Sequence, residues 1–264
     1  MVKLIACDVD GTLLPPGETG LPERIFALIE ALHAGNVKFC AASGRQYASL
    51  RRLFAPVSDK ILYLCENGAI VYRQNAVLAK TPLARPDWEQ LCAQICAQPG
   101  CEVLLSGADT SYVIPKTEAY YRHIRYDLGN NTVRVGDVVD IEEDVIKVSA
   151  FTDRPADSYA ALFAPVWGRR LNVAVAGKYW LDFTLSDKGT GLAQIAAALR
   201  ISAGDILAFG DNFNDIPMFR FAGASCAMEH AVPEVRAAAS GTCASVECVL
   251  ESLVRQLPVG ERNA

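Results

Sequence analysis

The chain of 264 residues is 51% hydrophobic and 21% charged, enough apolar material for one large domain or two moderate ones. Its net charge of −5 and pI near 5.3 argue against nucleic acid or an anionic membrane as the main partner. No apolar run reaches membrane-spanning length, and the opening "MVKLIACDVD" enters a predicted strand with no room for a signal peptide, so a cytoplasmic protein is expected.

Residues 3–9 read as a strand buried on both faces, since their apolar run is too unbroken for a half-exposed sheet. Residues 22–34 follow as a helix, with Ile25, Leu28, Ile29 and Leu32 on one face, Pro22 in the first turn and Gly35 at the end. "VKFCAAS" is a second strand and "RQYASLRRLF" a helix. "KILYLCENGAIVYR" reads as two strands joined by an Asn-Gly turn. This alternation is the grammar of a doubly wound parallel sheet.

The pattern changes near Thr81-Pro82. Up to about Leu185 the predicted order is a helix ("DWEQLCAQICAQ"), strands ("CEVLLSG", "TSYVIP"), a helix around "EAYYRHIR", a strand ("VIKVSAF"), a helix ("ADSYAALFA") and two strands ("LNVAVA", "YWLDFTL"). Strands in such close pairs predict an α+β insert with an antiparallel sheet over residues 82–185. The first grammar then resumes with helix "GTGLAQIAAALR", strand "DILAFGD", short strand "ASCAM" and helices "VPEVRAAAS" and "VECVLESLVRQL". The fold expected is an α/β core from residues 1–81 and 186–264, split by the insert, with a frayed tail "PVGERNA". The nine cysteines lie among apolar neighbours and read as buried thiols; Cys92, Cys96 and Cys101 are assigned to packing rather than to a metal.

In an open parallel sheet, ligands sit outside the carboxyl ends of the strands. There the first strand delivers Asp8 and Asp10, the second Ser43-Gly44-Arg45, and "DILAFG" runs into Asp211, Asn212, Asn214 and Asp215. Lys188 opens a helix. This set suits phosphoryl transfer. Crowded carboxylates beside a phosphate need a hard divalent ion such as Mg²⁺. Lys188 is a point charge for a phosphate oxygen, and Ser43 with neighbouring amides hydrogen-bonds others. Two residues apart on an extended segment, Asp8 and Asp10 point the same way, so one can attack phosphorus while the other handles the proton. Asp-x-Asp-Gly is also a turn and calcium-loop signature, but "DVDGTLLPPGET" lacks the later calcium ligands.

"DVDGTLL", "SGR", "DKG" and "GDNFND", in that order, resemble the four motifs of the haloacid dehalogenase (HAD) superfamily of phosphatases. The insert's position after "ENGAIV" resembles the large α/β cap of the Cof-type, class IIB branch. The resemblance implies a nucleophile at Asp8, an acid/base at Asp10, and phosphate binding by Ser43, Gly44, Lys188 and Asn214. It assigns Mg²⁺ to Asp8, the Asp10 carbonyl and Asp211, with Asp215 supporting them from behind. The implied activity is hydrolysis of a small phosphorylated metabolite, a sugar phosphate or a phosphorylated cofactor, by a monomer or weak homodimer. A phosphosugar mutase, which shares the motifs, and a non-catalytic phospho-ligand binder are the alternatives. Where relatives often carry Gly-Asn-Ala after the fifth strand this chain reads "MEHA", so no substrate carries over from a named relative. Tyr121, Arg125, Lys178, Tyr179 and Trp180 of the insert are candidate substrate-selecting residues.

Overall fold

The computed structural model describes residues 1–15 and 17–257; the tail "PVGERNA" lies outside them. Strand β1 (Leu4–Asp8) is buried at every position. Helix α1 (Glu23–Ala34) buries the expected stripe Ile25, Leu28, Ile29 and Leu32; Pro22 sits just ahead of it, at the capping position and extended. Then come β2 (Lys38–Ala42), α2 (Tyr47–Leu53), β3 (Leu62–Cys65), β4 (Ile70–Arg73) and β5 (Ala76–Lys80). The chain continues with α3 (Arg85–Ala97), β6 (Cys101–Ser106), β7 (Ser111–Val113), α4 (Glu118–Arg122), β8 (Thr132–Arg134), β9 (Lys147–Thr152), α5 (Asp157–Trp167), β10 (Asn172–Gly177) and β11 (Trp180–Thr184). It closes with α6 (Lys188–Leu199), β12 (Ile206–Gly210), α7 (Ile216–Phe221), β13 (Ala224–Met228), α8 (Pro233–Ala238), β14 (Gly241–Cys243) and α9 (Val246–Gln256).

The chain divides into two compact units, Met1–Ala79 with Asp187–Ala264, and Lys80–Ser186. Among the described residues the first unit holds an eight-stranded sheet in the order β14-β13-β12-β1-β2-β3-β4-β5. Its strands from β14 to β3 pair in parallel, and β4 runs antiparallel to β3. β1 lies between β2 and β12, Leu4 facing both Lys38 and Ile206. The carboxyl ends of β1 and β12, which lead into the two acidic loops, therefore lie side by side. One face of this sheet packs through Leu4, Ala6, Leu64 and Ala208 against Leu192 and Ile195 of α6 and Met218 of α7.

The second unit is an α+β insert around a six-stranded sheet, order β10-β11-β9-β6-β7-β8. Val103, Leu105, Val148 and Ala150 share a core with Trp88 and Leu91 of α3 and Phe163 and Trp167 of α5. Cys92 and Cys101 are buried in that core and Cys96 packs against it, as expected of apolar thiols.

Several local expectations need correction. β7 and β8 pair in parallel, so the insert's sheet is mixed rather than wholly antiparallel. Short β5, β8, β14 and α7 went unforeseen, being too brief for a period to emerge. The helix around "EAYYRHIR" is α4 continued by a π-helical turn, His123–Asp127. The expected Asn-Gly turn is a 3₁₀ turn, Glu66–Gly68, with all three residues at positive φ.

Candidate active site

β1 ends at Asp8, not beyond it. The backbone turns at once, the amides of Thr12, Leu13 and Leu14 all donating to the Val9 carbonyl. Asp8 closes the strand and Asp10 lies beyond it. Asp8 is buried, 5% exposed, whereas the Asp10 side chain is 49% exposed. The expectation of one extended segment running through both carboxylates is corrected: the strand ends at Asp8 and Asp10 lies in the turn that follows.

Lys188, the first residue of α6, is wholly buried, and its Nζ reaches Oδ1 of both Asp8 and Asp215 at 2.5 Å. The other Asp215 oxygen accepts from the backbone amides of Asp211 and Asn212 at 2.9 and 3.0 Å. Asp215 thus pins both the lysine and the loop that presents Asp211. Asp211 in turn accepts from the Thr12 hydroxyl at 2.8 Å, tying the two acidic loops together. His230 Nε2 lies 3.9 Å from the other Asp211 oxygen.

Carboxylate oxygens of Asp8, Asp211 and Asp215 all lie within 4.8 Å of one another. Burial pushes the Asp8 carboxyl up to about 8 against the pull of Lys188, with Asp215 and Asp211 adding to the rise. Burial also opposes the charge on Lys188, but the two carboxylates outweigh it and hold its ammonium above the usual lysine range. The remaining Asp8 oxygen, Oδ2, is buried with no hydrogen-bond partner among the described residues. An orphaned buried carboxylate oxygen in an over-acidic cluster fits a divalent cation.

Asp10 is gripped by Arg45, which donates Nε to one oxygen at 2.9 Å and Nη2 to the other at 2.5 Å. The Ser43 hydroxyl accepts from the Arg45 amide at 3.1 Å and lies 3.5 Å from the same Asp10 carboxylate. Gly44 faces Asn67, whose Nδ2 would stand 3.1 Å from a Cβ placed there. Asn67 donates its amide to the Ser43 carbonyl and accepts from Asn214 Nδ2 at 3.1 Å. So the structure gathers Asp8, Lys188, Asp211 and Asp215 into one cluster. It joins Asp10 to Ser43 through Arg45, and Ser43-Gly44 to Asn214 through Asn67. The sequence reading left Thr12, Arg45 and Asn67 without partners; only the "DGT" and "SGR" contexts hinted at the first two.

In the insert, the five candidate residues are largely occupied locally. Arg125 donates to the Thr132 carbonyl at 3.0 Å, Arg134 lies over the Tyr121 ring at 4.2 Å, and Lys178 over Tyr179 at 5.0 Å. Trp180 packs on Phe151, ring centroids 4.9 Å apart.

The family model of haloacid dehalogenase-like hydrolases matches residues 5–248. The chain belongs to this family. Like its relatives it is a HAD-type phosphatase, of the Cof type. It is 27% identical to 5-amino-6-(5-phospho-D-ribitylamino)uracil phosphatase YbjI of Escherichia coli, over 90% of this chain and 89% of that protein. It is 25% identical to pyridoxal phosphate phosphatase YbhA of the same organism, over 90% and 92%. A crystal structure from Eubacterium rectale, 30% identical, superposes with a TM-score of 0.87 over 96% of this chain and 99% of that one. A HAD subclass IIB sugar phosphatase shares the fold at a TM-score of 0.78 and 22% identity, covering 96% and 99%. HAD hydrolases generally use a divalent metal, and the carboxylate cluster suits one. No helix among the described residues is long and apolar enough to cross a membrane.

Proposed function

We propose that this HAD phosphatase hydrolyses a small phosphorylated metabolite through an aspartyl-phosphate on Asp8, with Mg²⁺ as the cation. The observation that carries the reading is Asp8 itself: a buried carboxylate at a strand end, one oxygen held by Lys188 and the other without a partner. That is the environment of a nucleophile, oriented through one oxygen and left unpartnered at the other.

In this reading Asp8 attacks phosphorus and the ester oxygen leaves with its electron pair, taking a proton from Asp10. Water then attacks the aspartyl-phosphate, Asp10 accepts its proton, and phosphate and free Asp8 result. Because Arg45 holds both Asp10 oxygens, Asp10 acts by exchanging one of those bonds for the leaving oxygen. Lys188, the Ser43 hydroxyl, the Gly44 amide and Asn214 bind phosphoryl oxygens, and Asp215 keeps Lys188 in place. Asp8, the Asp10 carbonyl and Asp211 would hold Mg²⁺, which when bound would neutralise charge at the phosphoryl group. The insert selects the leaving group. The two E. coli relatives are named for chemically unlike substrates, so likeness at this level does not choose between sugar phosphate and phosphorylated cofactor.

The test is hydrolysis of p-nitrophenyl phosphate with and without Mg²⁺, repeated with Asp8→Asn. Turnover should require the ion and fall by at least about 10⁴-fold in the variant. An unchanged rate would sink the mechanism.

A further inference from the structure

Asp8, Ala42 and Leu64 stand in register across β1, β2 and β3, so the segments that follow these strands leave the sheet side by side. The segment after β3 is the turn Glu66–Gly68, where Glu66, Asn67 and Gly68 take φ of 51°, 54° and 95°. Two successive non-glycine residues in the left-handed region are costly. Such backbone persists where its surroundings over-determine it, most often at functional sites. Here the surroundings are the segments assigned to phosphate. The amides of Glu66 and Asn67 donate to the carbonyls of Arg45 and Ser43 at 3.2 and 3.0 Å. On its other side the turn packs against the start of α6: a Cβ on Gly68 would lie 2.1 Å from the carbonyl oxygen of Asp187, the residue before Lys188.

The left-handed backbone does not by itself call for asparagine, since glycine adopts it at less cost. What asparagine adds is the side-chain amide. Its Oδ1 accepts from Asn214 Nδ2 at 3.1 Å, which leaves Nδ2, set against Gly44, with no acceptor among the described residues. Asn67 and Gly44 are both half-buried, so neither is sealed into the core. Resting on the phosphatase reading above, we propose that Asn67 is a further phosphate-binding residue: Nδ2 donates to a phosphoryl oxygen beside the Gly44 amide, and Oδ1 holds Asn214 in place for another. A neutral donor suits this position. The neighbouring cluster sets Asp8, Asp211 and Asp215 against Lys188. One more carboxylate would repel a phosphoryl dianion, whereas an amide offers a hydrogen without changing the charge.

The experiment measures binding of inorganic phosphate by calorimetry, and kcat and KM on p-nitrophenyl phosphate, for the full chain with Mg²⁺. The proteins compared are wild type, Asn67→Gly and Asn67→Asp. Asn67→Gly keeps the left-handed backbone and removes the amide. Its phosphate Kd and KM should both rise about tenfold, the loss of one hydrogen bond to a charged group, with kcat changing less. Asn67→Asp keeps the shape and the acceptor for Asn214 but puts a carboxylate oxygen where Nδ2 stood. It should weaken phosphate binding about 10²-fold. A residue that only held Asn214 would tolerate this change, so a phosphate Kd for Asn67→Asp within about twofold of wild type overturns the assignment. Circular dichroism establishes that each variant is folded, and Asn67→Asp carries the test if Asn67→Gly is not. The two readings fail separately. A wild type that binds phosphate without hydrolysing the ester ends the phosphatase reading, and the Kd ratio still decides the role of Asn67. No phosphate binding by wild type ends both.

Discussion

Each unit of the molecule buries a lysine against aspartate, and the two clusters are built to opposite specifications. In the core, Lys188 faces Asp8 and Asp215 with Asp211 close by, so acids outnumber the base. In the insert, Lys147 pairs with Asp182, which also accepts from the Ser149 hydroxyl. Crowded carboxylates in excess of the base suit a cation, whereas a lysine paired with a carboxylate has its charge met by that partner. The difference sets the two clusters apart by charge balance.

Removing the lysines should break this contrast or confirm it. Lys188→Met leaves buried carboxylates uncompensated and should cost about 3–5 kcal/mol, a fall in Tm of roughly 10 °C. The paired replacement Lys147→Met with Asp182→Leu removes both charges and should stay within about 2 kcal/mol of wild type. Equal losses in thermal melts of the two proteins would erase the distinction.

Within the core, Asp10 differs from Asp8 in being exposed and arginine-bound. Asp10→Asn should slow an alkyl phosphate about 10²-fold more than p-nitrophenyl phosphate, because only the poor leaving group needs a proton. Equal slowing would reduce Asp10 to a partner of Arg45.

The smallest effect is in stability. Burial, with Asp215 and Asp211 adding to it, raises the Asp8 carboxyl from 3.8 to about 8 in the folded chain. Without a cation, the native state therefore binds the extra proton, and this contribution to stability is full below 3.8 and lost as pH rises toward 8. A cation must displace that proton at low pH but not at high pH. Saturating Mg²⁺ should raise stability by about 1–3 kcal/mol near pH 8 and by less near pH 5. Equal shifts in Tm at the two pH values would detach the cation from Asp8.

Family, fold class and the strand exits were legible because long apolar runs announce parallel strands and their ends carry the acids. Asp10's true position was not, since the turn that removes it from β1 is made by the Val9 carbonyl, a backbone group with no residue signature. The Arg45–Asp10 clasp joins residues 35 apart, and the insert's Lys147–Asp182 pair depends on strand register. "KVSAF" shows alternation but not what stands opposite Lys147 or Ser149. Asn67 read as a turn residue that could also face the site, and its partners stayed hidden because Ser43 and Asn214 come from distant loops.

The interruption of the core also sets an order of assembly. Residues 80–186 are contiguous, so the insert has all its strands as soon as it leaves the ribosome. The core does not: β1 has β2 on one edge from the start, but its other edge waits for β12, and Asp8 waits 180 residues for Lys188. Such distant pairings close slowly. A growing chain therefore carries an open apolar strand edge with an uncompensated aspartate at its tip until synthesis is nearly complete. Nascent and truncated forms of this protein are the ones exposed to aggregation.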